Sequence, residues 1–276
     1  VRVAPASSRY IVTAGKRNSV AFSTAWNSFV RDLVSHADEA WRRAGTLTVW
    51  RKPDGSPLTQ LDLRLDELVR TCITTHLPQA SVLSEELGLL MPESGGSGQI
   101  AIVDPVDGTE SLIASRDSWW VSVGIFEEGV PRGGLIYQPT SRRLHDSLQP
   151  VVHPADGLVL GMSPDRLADA ALRGPLDQLA RRGMQFVDTP HAAEKVAAVL
   201  EGRVSASIYL PSAKSPAWRS WDLAAGIALA AANSLELRTL DGEPLTLDDT
   251  RVERRDGWIC ARDVSGYDAV RRAFSE

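Results

Sequence analysis

The sequence predicts an α/β (α+β) protein built as two layered subdomains, and three observations carry that reading. A long amphipathic helix lies near the start, an antiparallel hairpin of apolar strands lies in the middle, and strand and helix alternate after Pro150. Alternation of that kind suits a more parallel sheet with helices on its faces. The expected organisation is a basic N-terminal extension over 1–22, an α+β subdomain over 23–150 and an α/β subdomain over 151–276.

The first helix is expected over 23–44. Trp26, Phe29, Val30, Leu33, Val34, Ala37, Ala40, Trp41 and Ala44 recur at steps of three and four, and Gly45 ends the run. Residues 46–51 alternate like a strand, and Pro53-Asp54-Gly55 makes a turn. A second helix over about 60–76 places Leu61, Leu65, Leu68, Val69, Cys72 and Ile73 on one face. Short apolar strands at 81–83 and 100–103 each run directly into acidic residues, with a glycine-rich loop over 94–98 between them. Residues 119–126 and 130–137 flank Glu127-Glu128-Gly129 as a hairpin, with one of Trp119 and Trp120 in the core and the other on an exposed face. Strands at 158–162, 185–188 and 204–210 then alternate with helices at 191–200 and 221–233. Ser163-Pro164 opens another helix as cap and first residue.

Composition removes several classes of function. The 276 residues are 43% hydrophobic and 24% charged, an ordinary globular balance with length enough for a large core. Cys72 and Cys260 form neither a disulfide framework nor a metal-ligand spacing. The remaining histidines show no ligand spacing either. No apolar run reaches the ~18 residues of a membrane span. A net charge of −5 has the wrong sign for a nucleic-acid or anionic-membrane partner. The small-molecule class is left, in a cytoplasmic protein. No acid precedes Asp32, and Arg2, Arg9, Lys16 and Arg17 lie among serines and threonines; that stretch reads as a short extension, with a transit peptide the less favoured alternative.

Chemistry gathers where strands end. Asp62, Glu85, Glu86, Asp104, Asp107 and Asp222 sit at such ends, where carboxylates converge and hard divalent cations find the oxygen ligands they prefer. In Asp104-Pro105-Val106-Asp107-Gly108-Thr109 the proline is expected to stop the strand and Gly108 to allow a tight turn. Asp104 and Asp107 can then face one point, with the Val106 carbonyl between them. The Gly108 and Thr109 amides would open a short helix, a natural seat for phosphate.

Four segments occur in order: Lys52 to Asp62, Ser84-Glu85-Glu86, Asp104 to Thr109, and Trp221-Asp222 leading to Gly226. Together they resemble the inositol monophosphatase superfamily, the lithium-sensitive, magnesium-dependent phosphomonoesterases. The resemblance implies an αβαβα sandwich of the inositol monophosphatase and fructose-1,6-bisphosphatase type, with the site between its halves. It implies Mg2+, two or three ions per site, held by Glu85, Asp104, Asp107, Asp222 and the Val106 carbonyl, with Glu86 in support. Asp62 and Thr109 would hold and deprotonate the attacking water, and the Gly108 and Thr109 amides would receive the phosphate. A phosphate dianion cannot approach this many carboxylates until cations neutralise them. Two cations about 3.5–4 Å apart would generate hydroxide and stabilise the leaving oxygen.

Within the superfamily the chain looks most like the 3′(2′),5′-bisphosphate nucleotidases. Lys52 to Asp62, Leu83 to Glu86 and Arg116 to Trp119 carry that likeness. Inositol-specific members place a glutamate seven residues before the Trp-Asp aspartate, where this chain has Ser215. Lys214 and Arg219, in the same loop, suit a second phosphate. Ser111 and Lys195 are also assigned to the substrate side. Two departures stand against the branch: Glu110-Ser111-Leu112 follows the Asp-Gly-Thr turn, and Thr189 to Glu194 replaces a Gly-Ser ahead of Lys195. Trp218 is the aromatic best placed to stack on a base, with packing its other role, and His191 reads as a helix cap. The expected ligand is a small phosphate ester: 3′-phosphoadenosine 5′-phosphate first, an inositol or other sugar or nucleoside phosphate second. A non-catalytic metal and phosphate binder is the alternative of another class, and a homodimer is compatible with the resemblance.

Overall fold

The computed structural model describes residues 18–92, 96, 98–115, 117–155, 157–213, 217–245, 247 and 253–275. The expected N-terminal extension falls mostly outside these residues, as do Arg116, Lys214, Ser215 and most of the glycine-rich loop.

Helix α1 spans Val20–Arg42, three residues earlier than the periodicity suggests, because Ser19 caps it by accepting the Phe22 N–H at 3.1 Å. The extension therefore ends before residue 20. Strands β1 (Val49–Arg51) and β2 (Pro57–Thr59) pair as a small antiparallel ribbon. Helix α2 occupies Gln60–His76 as its apolar spacing requires. Strands β3 (Ser81–Ser84), β4 (Gly88–Leu90), β5 (Gln99–Asp107), β6 (Trp120–Glu127), β7 (Val130–Gln138) and β8 (Arg143–Asp146) form a six-stranded sheet in the order β4-β3-β5-β6-β7-β8. Helix α3, Thr109–Ala114, leaves the end of β5.

A second, five-stranded sheet follows. It contains β9 (Val159–Met162), β10 (Gln185–Asp188), β11 (Ala206–Tyr209), β12 (Glu236–Thr239) and β13 (Trp258–Ala261) in the order β10-β9-β11-β13-β12. Its first three strands are parallel, as alternation predicts; β13 pairs antiparallel with β11, and β12 pairs antiparallel with β13 at the edge. Helices α4 (Pro164–Leu167), α5 (Arg173–Arg181), α6 (Ala192–Leu200), α7 (Ser220–Asn233) and α8 (Val264–Ser275) complete the chain.

Three apolar clusters fill the spaces between five layers. One lies between α1, α2 and the outer face of the six-stranded sheet, one surrounds α6 and α7 between the two sheets, and one lies under α5 and α8. The architecture is the αβαβα sandwich that the resemblance implies. Trp119 and Trp120 show what this layering does. Both rings are fully buried, contrary to the expected core-and-surface split, because the six-stranded sheet is covered on both faces. Trp119 enters the first cluster and Trp120 the second.

Helix α7 approaches the six-stranded sheet very closely. A Cβ on Gly134 would lie 2.5 Å from the Ala228 methyl, and one on Gly124 would lie 2.6 Å from the Ala224 carbonyl carbon. Small residues on both partners bring the helix, and Asp222 in its first turn, against the middle of the sheet.

Candidate active site

The site begins at a correction to the strand reading. β5 does not stop at Asp104; it runs through Pro105 to Asp107, and its pairing with β6 is interrupted by a bulge between Asp104 and Asp107. Proline is tolerated there because the bulged backbone needs no ladder donor. The bulge brings Asp104 and Asp107 within electrostatic reach of each other and of Asp222. The Val106 N–H donates to Asp104 Oδ1 at 3.0 Å. Gly108 then takes φ +105°, a left-handed value that side chains resist, and starts α3.

Glu85 follows β3, the parallel neighbour of β5, and its N–H bonds the Val103 carbonyl at 3.1 Å. Asp222 comes from the other direction, on α7, with Oδ2 accepting the Arg219 N–H at 2.6 Å. The Asp107 Oδ2 accepts the Ala193 N–H from the first turn of α6 at 2.6 Å. Two adjacent layers, the six-stranded sheet and the α6–α7 layer, thus contribute to one acidic cluster. Burial first, and then repulsion from Glu85 and its neighbours, raises the pKa of Asp104 and Asp107 well above the carboxylate range and that of Asp222 to about 8.

Asp62 approaches from α2. Thr59 caps that helix, and Asp62 Oδ2 accepts both the Thr59 N–H, at 3.0 Å, and the Thr59 hydroxyl. Its other oxygen accepts the Thr109 hydroxyl at 2.8 Å, while Thr109 Oγ1 lies 3.2 Å from the Val106 carbonyl. Burial raises the Asp62 pKa against the opposing pull of these hydrogen bonds.

Lys52 supplies the one ammonium bonded directly to this cluster among the described residues. Its Nζ lies 2.7 Å from both Glu85 Oε1 and Glu86 Oε1. Burial opposes its charge, yet the two glutamates hold its pKa above the usual lysine range. Glu86 is itself pushed up to about 7, by burial more than by its neighbour Glu85.

As placed, no three acidic, histidine or cysteine side chains among the described residues close on a single point that could hold a cation. Glu85 is turned to Lys52, and Asp107 and Asp222 each give one oxygen to a backbone N–H. The donor set nonetheless fits a hard divalent cation: buried carboxylates that repel one another, with Lys52 standing where positive charge is needed.

The substrate-side residues fare differently. Lys195 is buried in α6 and donates to the Thr189 carbonyl and, at 2.8 Å, to Ser163 Oγ, with Asp107 within electrostatic reach. Burial lowers its pKa to about 7. Ser111 Oγ is bonded to His191 Nε2 at 2.8 Å. Arg219 is half-exposed beside Asp222, 3.7 Å from Asp54 and 3.9 Å from Glu253, with its guanidinium 5.8 Å from the Trp221 ring centre. Lys214 lies outside the described residues. Trp218 is packed: its Nε1 donates to the Asp256 carbonyl at 3.1 Å and Arg254 covers its ring.

The model of the inositol monophosphatase family matches residues 19–262. The chain belongs to the inositol monophosphatase family. Members of this family are magnesium-dependent phosphatases. A histidinol-phosphatase of Mycobacterium tuberculosis is 33% identical over 114 residues, which is 40% of this chain and 43% of that relative. The 3′(2′),5′-bisphosphate nucleotidase CysQ of Escherichia coli K12 is 26% identical over 72% of this chain and 82% of its own. Among solved structures, the extragenic suppressor protein SuhB of Bartonella henselae superposes with a TM-score of 0.73 at 18% identity, covering 92% of this chain and 99% of its own. That likeness shows the inositol monophosphatase fold.

Sequence reasoning missed two residues of this site. Lys52 lies inside a segment that was recognisable, but its aim at Glu85 depends on the pairing of two three-residue strands, too short to leave a pattern. His191 was legible as the cap of α6 and not as the partner of Ser111, since a separation of 80 positions hides that contact.

Proposed function

We propose that the chain is a magnesium-dependent phosphomonoesterase acting on a small phosphorylated metabolite. One observation carries this reading: the Thr109 hydroxyl, at the start of α3, donates to buried Asp62 beside a cluster of four carboxylates from two adjacent layers. Glu85, Asp104, Asp107, Asp222 and the Val106 carbonyl would hold the metal. Mg2+ bound there supplies Lewis acidity and lowers the pKa of a coordinated water.

The chain's own groups do the rest. Asp62 and Thr109 orient the water, and Asp62 takes its proton through the Thr109 hydroxyl. The Gly108 and Thr109 amides receive the phosphoryl oxygens at the N-terminus of α3, where the unbonded N–H groups favour negative charge. The water oxygen bonds to phosphorus, the ester P–O bond breaks, and the leaving oxygen takes a proton from solvent, to which Asp62 returns the one it received.

For the substrate, we favour the 3′-phosphate of a nucleoside bisphosphate. Similarity to the nucleotidase over most of both chains and the half-exposed Arg219 next to Asp222 support it. A monophosphate ester is the second reading, favoured by the burial of Lys195, which removes one expected contact for a second anion. Phosphate release from a panel of nucleotide, inositol, histidinol and sugar phosphates with Mg2+ tests both. Turnover of the bisphosphate well above every monophosphate, with Arg219→Ala erasing that preference, supports the first. Equal or better turnover of a monophosphate supports the second, and no turnover of any ester defeats the phosphatase reading.

A further inference from the structure

Histidine 191 stands in the segment where the resemblance leads one to expect Gly-Ser, and it touches the phosphate-binding turn on two sides. A Cβ added to Gly108 would fall 2.7 Å from both Cδ2 and Nε2 of its ring, so imidazole and turn are in direct van der Waals contact. The same Nε2 lies 2.8 Å from Ser111 Oγ. The ring also hydrogen-bonds the backbone of Ser118 at the approach to β6. Only one ring nitrogen of a neutral imidazole can donate, so the one facing Ser118 carries the proton and Nε2 accepts from the Ser111 hydroxyl.

We infer that His191 is a positioning residue for the phosphate-binding turn, clamping Gly108 and Ser111 against the start of α6. The inference rests on the phosphatase reading for its consequence in turnover, and on geometry alone for the clamp. Two residues further on, the Ala193 N–H holds Asp107 from the same helix end. One short stretch, His191 to Ala193, therefore grips the turn before Gly108 and after it. The Ser111 hydroxyl, engaged as a donor to the ring, is not free to donate to a phosphate oxygen. Burial first, and then Lys195, pushes the His191 pKa down to about 4, which keeps the imidazole neutral and Nε2 an acceptor near neutral pH. A small residue here would leave the turn without lateral support, and misplacement of a reacting group by 1 Å costs on the order of a hundredfold in rate.

The test is a double-mutant cycle read in steady-state kinetics and in thermal unfolding. His191→Ala should lower kcat by roughly tenfold or more with KM changed far less, because the turn is displaced while the substrate contacts remain. Ser111→Ala should fall by a similar factor, and the double variant should be no worse than His191→Ala alone, since both delete one bond. His191→Gln, whose side-chain oxygen can accept from Ser111, should recover most of kcat. If the alanine variant does not fold, Ser111→Ala and His191→Gln carry the comparison: a fall in kcat for the first and near recovery for the second. Multiplying losses in the double variant overturn the clamp, as does a rise in KM alone or a His191→Ala enzyme within twofold of wild type. If wild-type protein with Mg2+ hydrolyses no ester, the phosphatase reading fails by itself. The clamp is then judged on unfolding: non-additive losses for the two single variants uphold it, and additive losses overturn it.

Discussion

Two groups of carboxylates adjoin α6, and they have opposite fates. In one, Glu194 and Glu201 are enclosed by cations. Arg203 reaches both at 2.6 Å, Arg143 bonds Glu201 at 2.9 Å and lies over the Trp120 ring, and Trp120 Nε1 donates to Glu194 at 2.8 Å. Burial works against the Glu201 charge, but His145 and Arg203 more than offset it and depress its pKa to about 2. In the other, Asp104 and Asp107 are buried and Asp222 is half-buried, with no arginine or lysine bonded to their oxygens among the described contacts, and all three are pushed upward. The first group is complete as the chain folds. The second is short of positive charge, as the proposed cation site requires.

The sharpest way to break this comparison is to neutralise one acid in each group. Asp222→Asn should cost at least ~100-fold in kcat/KM, since altering even the groups behind a metal ligand costs 10- to 100-fold. In metal-free protein the same change should leave the melting temperature unchanged or raised, because it removes a repelling charge. Glu201→Gln should do the reverse: destabilise by up to about 1 kcal/mol, since it takes one charged partner from the partly exposed Arg143 and Arg203, while the protein keeps its kcat. Urea unfolding and steady-state assays on both variants decide. A destabilised, fully active Asp222→Asn protein would erase the distinction.

Gly134→Ala probes the packing that carries Asp222 to the cluster. The added methyl meets Ala228, so α7 must back away from β7 at a cost of about 1–3 kcal/mol. Activity should fall along with stability, unlike either charge variant. Retention of full turnover would show that the helix position is not what sets the site.

A smaller effect is the pH dependence of metal-free stability. Glu201 has a folded pKa of about 2 against an ordinary 4.5, so its contribution is present above pH 4.5 and is lost as pH falls toward 2. Asp222 has a folded pKa of about 8 against 3.8, so between those values the folded state binds more protons and stability declines as pH rises. Denaturant midpoints across pH 3 to 9 should therefore peak on the acid side of neutrality, and Asp222→Asn should flatten the alkaline decline.

The fold was legible where one periodicity persisted. Helix α2 came out residue for residue, and β6 and β7 emerged from apolar runs around a turn. Strands β2, β4, β8, β12 and β13 and helices α5 and α8 went unread, the strands because three or four residues are too few to show an alternation. The acidic residues could be chosen from sequence because carboxylates at strand ends have few other uses, and the structure draws Asp62, Glu85, Asp104, Asp107 and Asp222 to one region. The substrate side was less accessible. Lys195 reads as a basic residue suited to an anion, yet its place on α6 turns it inward to Ser163 and Thr189, and only tertiary packing decides that. The β5 bulge hid for the same reason: proline ordinarily ends a strand, and the exception depends on a partner strand with a shifted register.

The central claim is that the unpaired acidic cluster is a cation site. Thermal unfolding of wild-type protein and Asp222→Asn at pH 8, across rising Mg2+ concentration, tests it most directly. Binding to the folded state alone stabilises as RT ln(1 + [L]/Kd), about 2.7 kcal/mol at a hundred times Kd. The account predicts a melting temperature that climbs steadily with Mg2+ for the wild type and stays nearly flat for the variant. Identical curves for the two proteins, or no rise for the wild type at saturating millimolar Mg2+, would contradict it.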